Sequence, residues 1–269
     1  MVHLSGSTHE EADTRMVLHT VHAEADNAVV LVRDTDVLLL YVHHFAKMKP
    51  SKVWIMSGTA RDRNFIPIHD ICEKLSPEQK HNLLAFHAIT GCDSTSKIAS
   101  ITKRNAWKFF KGHTCSLLEG LGSIPLTDQV VANAEEFVIQ LYKVSTEIKT
   151  GDAARSFLFG AVKSPEKLPP TSDALRLHIR RCHYQVYVWE NAHIANPSVP
   201  CPENCGWRVD GTTIEPILMT LPPIPASCNA LRACGCKGMC QTNQCRCRKE
   251  SHPCMKICNC RALCLNCIK

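Results

Sequence analysis

The chain has 269 residues with a formal net charge of +6, and 17 of its residues are cysteines. Its hydrophobic content of 45% is ordinary for a globular protein and excludes wholesale disorder. The length suits one medium domain and one small domain. No run of about 18 apolar residues is present, so a transmembrane helix is not expected. Residues 1–15 have no apolar stretch of the kind that a secretory signal peptide carries.

The N-terminal part alternates between helical and strand-like patterns. Residues 9–25 are predicted to form a helix, and residues 28–32 (AVVLV) a buried strand. Asp36 is placed to cap a helix through VLLLYVHHF, and residues 52–57 are predicted to be a second buried strand. Alternating helices and buried strands favour an α/β fold with a parallel sheet.

Mostly helical patterns follow. Helices are predicted over residues 67–75 and 76–90, with Ser76 as the N-cap of the second and Pro77 at its first position. Two more are predicted around residues 96–111 and 128–147. After a linker at 163–170, Ser172 begins a long helix whose apolar stripe is predicted to face the core, namely Leu175, Ile179, Cys182, Val186 and Trp189.

These patterns divide the chain into four regions. Residues 1–162 are predicted to form the α/β core, and residues 163–195 a linker and helix. Residues 196–227 are rich in proline, with Asp210-Gly211 between two strand-like runs that predict a hairpin. Residues 228–269 form a small cysteine-rich module.

Acidic residues recur at the ends of the predicted core elements. Glu11 and Asp13 start a helix, Asp34 and Asp36 follow a strand, and Asp93 follows a helix. Sites in open α/β sheets lie at the carboxyl ends of the strands. Carboxylates gathered there bind Mg²⁺ or Mn²⁺, and two such ions can clamp the oxygens of a phosphodiester that is being hydrolysed.

The same motifs, in this order, resemble the second half of the PIN-like, flap-endonuclease-type nuclease core over residues 9–111. The matching segments are H-E-E-A-D-T-R at 9–15, V-L-V-R-D-T-D-V-L at 30–38, L-L-A-F-H-A-I-T-G-C-D-S-T-S at 83–96 and K-I-A-S-I-T-K-R-N-A-W-K-F-F at 97–110. The resemblance implies that the metal-binding carboxylates are Glu11, Asp13, Asp34, Asp36 and Asp93. It also implies that Lys103 and Arg104 face phosphate.

One departure from that family concerns the start of the core. The family's core begins with a strand that carries a further metal-binding aspartate, whereas this chain starts at Met1, a few residues before the E-A-D motif. The resemblance therefore implies a partial parallel sheet with an apolar edge and an incomplete catalytic site. Whether the chain is an enzyme stays open.

The last 36 residues contain ten cysteines in the pattern C-x-C-x3-C-x4-C-x-C-x6-C-x3-C-x-C-x3-C-x2-C. A segment this short cannot bury much core, and Zn²⁺ bound by thiolates would supply folding free energy. A disulfide framework is the alternative, but it needs an oxidising compartment, and cysteines in C-x-C pairs bridge each other poorly. The ten are Cys234, Cys236, Cys240, Cys245, Cys247, Cys254, Cys258, Cys260, Cys264 and Cys267.

This cysteine pattern resembles the tesmin-type CXC domain. The resemblance implies about three structural Zn²⁺ ions held by nine cysteines with bridging sulfurs, nuclear residence and DNA binding. Cys264 and Cys267 compete for the last ligand position. Gln244 stands where the family often has a tyrosine that contacts DNA.

Residues 228–269 also carry eight basic residues and one acidic residue, Glu250. This excess favours a nucleic-acid partner. Backbone phosphate contacts are predicted for Arg246, Arg248, Lys249 and Lys256.

Three functions remain open on the sequence. The first is a nucleic-acid-binding protein with a nuclease-like core and a zinc module, without a membrane partner and with an intracellular, nuclear location. The second is an active Mg²⁺- or Mn²⁺-dependent phosphodiester hydrolase. The third is a zinc-stapled protein-interaction module. Histidines such as His43, His44 and His87 are interpreted as packing residues.

Overall fold

A computed structural model of the chain describes residues 4–59, 61–159, 165–222, 233–255, 258–260 and 264–267. The chain divides into two compact units, Met1–Met219 and Thr220–Lys269. The first unit is a helical α/β structure, and the second is rich in cysteine. The α/β class predicted from the sequence is therefore confirmed.

The sheet of the first unit is mixed rather than parallel. Its strands are β1 (Asn27–Leu31), β2 (Lys52–Gly58) and β3 (Arg63–Pro67), in the order β1-β2-β3. Strands β1 and β2 pair in parallel as predicted, whereas β3 pairs with β2 in the antiparallel sense. The sequence did not indicate β3, because this short strand mixes polar and apolar residues and ends at a proline.

The prediction that residues 28–32 form a buried strand holds for one face of β1 only. In β1, Val29 and Leu31 are 55% and 68% exposed, whereas Val30 packs against the core. β1 lies at the edge of the sheet and turns only one face inward. A run of apolar residues does not distinguish a strand that is buried on both faces from an edge strand.

Five helices precede, connect or follow the strands of this sheet along the chain. The predicted helix 76–90 is divided at Asn82 into two helices, and Ser76 caps the first of them through a reciprocal capping box with Gln79. The helices are α1 (Ala12–Val21), α2 (Thr35–His44), α3 (Ile68–Lys74), α4 (Pro77–His81) and α5 (Leu83–Thr90).

The remaining helices complete the core of the first unit. They are α6 (Lys103–Phe109), α7 (Asp128–Gln140), α8 (Gly151–Leu158) and α9 (Ser172–Glu190). Helix α9 packs against α5 and α7, and its predicted apolar stripe is buried. Helix α8 was not predicted from the sequence. The threonine residues before α6, α7, α8 and α9 each accept a hydrogen bond from a backbone N–H group of the helix that follows.

The predicted hairpin is present and is held against α9. Strands β4 (Trp207–Asp210) and β5 (Thr213–Pro216) pair antiparallel across a two-residue turn. The guanidinium of Arg181 donates to the carbonyl oxygens of Gly206 and Ile217, which flank the hairpin. In the second unit a short helix, α10 (Arg246–Lys249), lies among loops.

Candidate metal sites

The three acidic motifs converge on one cavity of about 270 Å³ in the first unit. Four of the five predicted carboxylates line it. Asp36 lies in the first turn of α2, and Asp93 follows α5. The cavity is lined by Glu11, Ala12, Asp13, Asp36, Asp93, Ser94, Gln185 and Trp189. The last two residues belong to α9, so elements far apart in the sequence build one site.

Asp34 has a different place. Its carboxylate caps α2 by accepting a hydrogen bond from the backbone N–H of Asp36 at 2.9 Å, so the prediction that Asp36 is the cap was wrong. It is exposed and does not line the cavity. Its charge nevertheless helps to raise the pKa of Asp13. A metal-binding role for Asp34 stays a prediction.

The carboxylates of the cavity repel one another. The pKa of Glu11 is raised, first by its partial desolvation in the cleft and then by the charge of Asp13. The pKa of Asp13 is raised by desolvation and then by Asp34 and Asp36. A bound divalent cation would favour the charged form of each carboxylate and remove this repulsion.

Asp36 differs from its neighbours because a histidine holds it. His87 Nε2 lies 2.6 Å from Asp36 Oδ1, and this hydrogen bond is the first cause of a lowered Asp36 pKa. His87 Nδ1 lies 2.8 Å from the ammonium nitrogen of Lys103. Because an ammonium group can only donate, Nδ1 accepts from Lys103, and Nε2 carries the hydrogen that is donated to Asp36.

Sequence reasoning had assigned His87 to packing. It is the single strongly polar side chain in an otherwise apolar, fully buried stretch of α5, and its partners come from two other elements. Lys103 and Arg104, both predicted to face phosphate, begin α6 and are exposed. The segment 97–111 that contains them has no acidic residue and holds Lys97, Lys103, Arg104, Lys108 and Lys111. A cationic segment therefore adjoins the acidic cavity through Lys103.

The second unit is built around sulfur atoms. In the part of the chain that the structure describes, sets of three or more candidate ligand atoms within 4.8 Å of one another consist only of cysteine sulfurs. The carboxylate oxygens of the acidic cavity therefore lie farther apart than the sulfur atoms of these sets. The four sulfur sets draw on nine cysteines, Cys234, Cys236, Cys240, Cys245, Cys247, Cys254, Cys258, Cys260 and Cys264, which are called the nine-cysteine cluster below.

Spacing within the nine-cysteine cluster matches the edge of a zinc tetrahedron. Four Zn–S bonds of about 2.3 Å in tetrahedral geometry place the sulfurs about 3.8 Å apart. The Sγ atom of Cys234 lies 3.8 Å from Cys240, 3.9 Å from Cys254 and 3.8 Å from Cys260. Cys234 and Cys254 each belong to three of the four sets, so sulfurs shared between metals are built into the arrangement. The cluster could hold zinc.

Cys267 stands apart from this cluster. It is exposed, it belongs to none of the four sets, and its thiol donates to the carbonyl oxygen of Cys264 at 2.9 Å. Asn266 instead donates its backbone N–H to Cys264 Sγ at 3.3 Å and its side-chain amide to Cys254 Sγ at 3.4 Å. Such N–H donors favour thiolates, so the geometry favours Cys264 over Cys267 as the last ligand.

The structure contains no disulfide bond between the described cysteines. Three of the predicted phosphate-contacting residues, Arg246, Arg248 and Lys249, are exposed on α10. Arg246 is paired with Glu250 at 3.3 Å. Lys256 lies outside the described residues.

Across the described ranges, no helix has both the length and the apolar character needed to span a bilayer. Comparisons with protein-family models, curated proteins and solved structures found no match to the chain. The resemblances to a PIN-like core and to a CXC module therefore stay predictions, and function is inferred from the geometry of the two sites.

Proposed function

We propose that the chain is a nucleic-acid-binding protein whose two units each use metal ions. The observation that carries the proposal is the convergence of Glu11, Asp13, Asp36 and Asp93 on one cavity, with the cationic segment 97–111 beside it. In the first unit these carboxylates would hold Mg²⁺ or Mn²⁺. In the second unit a basic zinc-thiolate module would contact DNA, and nuclear residence would follow from that role.

A phosphodiester backbone suits this combination of charges. Divalent ions held by carboxylates present positive charge to phosphate oxygens, and exposed lysine and arginine side chains neutralise neighbouring phosphates. His87 would orient Asp36 in the way that partners of a ligating carboxylate usually do. The segment 97–111 would supply the sequence-independent part of the affinity.

Three zinc ions fit the nine-cysteine cluster. Cys247 and Cys258 lie 3.7 Å apart, and each lies within 4.8 Å of Cys234 and of Cys254. Three tetrahedral ions need twelve ligand positions. The nine thiolates of the cluster supply them because each pair of metals shares one sulfur. The three groups would be Cys234, Cys236, Cys240, Cys245; Cys234, Cys247, Cys254, Cys258; and Cys240, Cys254, Cys260, Cys264.

The test of binding is fluorescence anisotropy of the zinc-loaded chain with a labelled oligonucleotide over a series of salt concentrations. A Lys103→Gln, Arg104→Gln double variant is expected to weaken binding about tenfold and to lower the salt slope by about two. The matched control is Lys52→Gln. Lys52 is exposed and lies at the start of β2, whereas Asp34 and Asp36 follow the other end of the parallel pair. Its replacement is expected to change the affinity and the salt slope little. Binding that is absent, or insensitive to salt, would instead favour the protein-interaction module.

Hydrolysis of the bound phosphodiester is the second candidate function. It is favoured by the four carboxylates around one cavity and by the histidine that fixes one of them. The assay is Mn²⁺-dependent cleavage of flap, hairpin and single-stranded oligonucleotides. Asp36→Asn is expected to reduce cleavage by about 100-fold or more, whereas Asp26→Asn, an exposed carboxylate that does not line the cavity, should retain it. Binding without cleavage by the unmodified chain would leave binding as the function.

A further inference from the structure

A second cavity of about 290 Å³ adjoins the acidic one in the first unit. The two cavities share the residues Glu11 and Gln185. Its volume lies at the lower end of the range for small-molecule sites and suits one flat ring system. Neither binding of phosphate nor hydrolysis, as proposed above, uses this space.

Neighbouring stripes of α9 form one side of both cavities. Gln185 and Trp189, four residues apart, face the acidic cavity. Tyr184 and Val188, also four residues apart, face the second cavity. Residues at this spacing lie above one another on a helix, so the two stripes run side by side. A ligand that occupies both cavities would therefore place two adjoining chemical groups along one helix.

The second cavity has an apolar wall formed by the chain that follows α9. Pro197, Val199 and Pro200 line it, and Val199 is 44% exposed. Main-chain contacts fix this segment, since Thr8 donates its N–H to the carbonyl of Ala195 at 3.1 Å. The hydroxyl of Tyr187 donates to the carbonyl of Ser198 at 2.7 Å.

The polar part of the lining includes two carboxylates beside groups that can also donate hydrogen bonds, namely Thr8, His9, Thr14 and the amide of Gln185. Glu10 and Glu11 contribute carboxylates, which accept hydrogen bonds when ionised. Gln185 is buried, and its Oε1 accepts from the hydroxyl of Ser94 at 2.7 Å. This bond fixes the amide plane beside the two cavities. A flat ligand whose edge donates hydrogen bonds matches the carboxylates of Glu10 and Glu11, and its face matches Tyr184.

We infer that the second cavity receives a single unstacked nucleobase of a strand whose phosphate lies at the acidic cavity. The inference rests on the proposed function and narrows its substrate class to single-stranded or frayed nucleic acid, because a paired base cannot enter. Bases that carry an exocyclic amino group, which are adenine, cytosine and guanine, suit the carboxylate wall better than thymine or uracil. Stacking on Tyr184 supplies sequence-tolerant affinity.

The test is a cycle of protein and substrate changes, measured by anisotropy with the zinc-loaded full chain and Mn²⁺. The substrates are a short adenine-containing single strand and the same strand with one abasic nucleotide, placed at each position in turn. At one position the abasic change is expected to weaken binding about tenfold. Tyr184→Ala should weaken binding to the intact strand about tenfold and leave binding to that abasic strand unchanged. Tyr184→Phe should restore the intact affinity, since it keeps the ring.

A second arm tests the polar wall. Replacing the adenine at the sensitive position with thymine is expected to weaken binding several-fold. Glu10→Gln is expected to reduce this preference, because an amide both donates and accepts.

The outcomes separate this inference from the function on which it rests. If the unmodified chain binds no oligonucleotide, both the proposed function and the inference are overturned. If it binds intact and abasic strands equally, or if Tyr184→Ala weakens both by the same factor, the inference alone fails. An unchanged thermal transition of Tyr184→Ala would show that a loss of binding does not come from unfolding.

Discussion

The two units of this chain differ in what fills their interiors. The first unit buries aliphatic and aromatic side chains such as Leu40, Phe110 and Phe137. In the described part of the second unit the buried cluster consists of cysteines, while Met239 and Leu265 are 54% and 62% exposed. The hydrophobic effect therefore stabilises the first unit, and metal–thiolate bonds can stabilise the second. The two units should therefore respond to different perturbations, and only the second should depend on bound metal.

Removal of zinc should produce the largest difference between the units. A strong chelator is expected to unfold the second unit, because the binding free energy of structural zinc, about 10 kcal/mol or more per site, becomes folding free energy. The first unit should keep its unfolding transition. Hydrogen exchange read separately over residues 4–219 and 233–267 would show the contrast. Equal protection of the second range with and without zinc would contradict a metal-held core.

The cysteines of the second unit should not be equivalent. Cys254→Ser removes a sulfur that belongs to three of the four sets, so it is expected to cost at least one of about three zinc ions and to loosen the rest of the module. Cys267→Ser is the matched control, because its sulfur belongs to none of the sets among the described residues. Zinc content per chain measures both. Loss of zinc from the Cys267→Ser variant would show that Cys267 is a ligand.

Acid should weaken the first unit through His43, which is half-buried, and His44, which is buried. Burial lowers the pKa of His43 to about 4 and that of His44 to about 3. In the unfolded chain these groups take up protons below about pH 6.5, whereas in the folded unit they stay neutral. The stability that they contribute is therefore complete above pH 6.5 and is lost as the pH falls towards 4.

A variant isolates this effect from other titrating groups. His44→Gln should reduce the fall of the unfolding free energy below pH 6.5 by about 1.4 kcal/mol per pH unit. Burial raises the pKa of Glu190 to about 7. Because this carboxyl ionises more readily in the unfolded chain, it lowers the stability of the first unit as the pH rises towards 7, which is opposite to the effect of the histidines. Chemical denaturation at pH 7.5, 6 and 5 of both proteins gives the difference, and identical slopes would contradict a neutral, buried His44.

The smallest change in stability is expected from a substitution in the acidic cavity. The raised pKa of Asp13 means that its ionised form is disfavoured in the folded unit without a cation. Asp13→Asn is therefore expected to raise the melting temperature of the metal-free unit by about 2 °C. It should also remove the further stabilisation that Mn²⁺ gives the unmodified chain. A variant that gains the same stabilisation from Mn²⁺ would show that Asp13 does not bind the ion.

Sequence patterns predicted the parts of the molecule that depend on local order. The acidic motifs are recognisable because they lie at the ends of regular elements, and the cysteine spacing alone indicates a thiolate site. His87 was missed, since a polar residue within an apolar helix has no periodic signal and its partners, Asp36 and Lys103, come from other elements. The difference between Cys264 and Cys267 also needed the fold, because both occupy plausible positions along the chain.

The most direct measurement of the difference between the two units is native mass spectrometry of the full chain, combined with alkylation of accessible thiols. The nine-cysteine cluster predicts a mass increase of about three Zn²⁺ ions. Those nine thiols should be protected from alkylation until the metal is removed, while Cys267 reacts at once. A mass without zinc that is lowered by disulfide formation would contradict a zinc-thiolate core in the second unit.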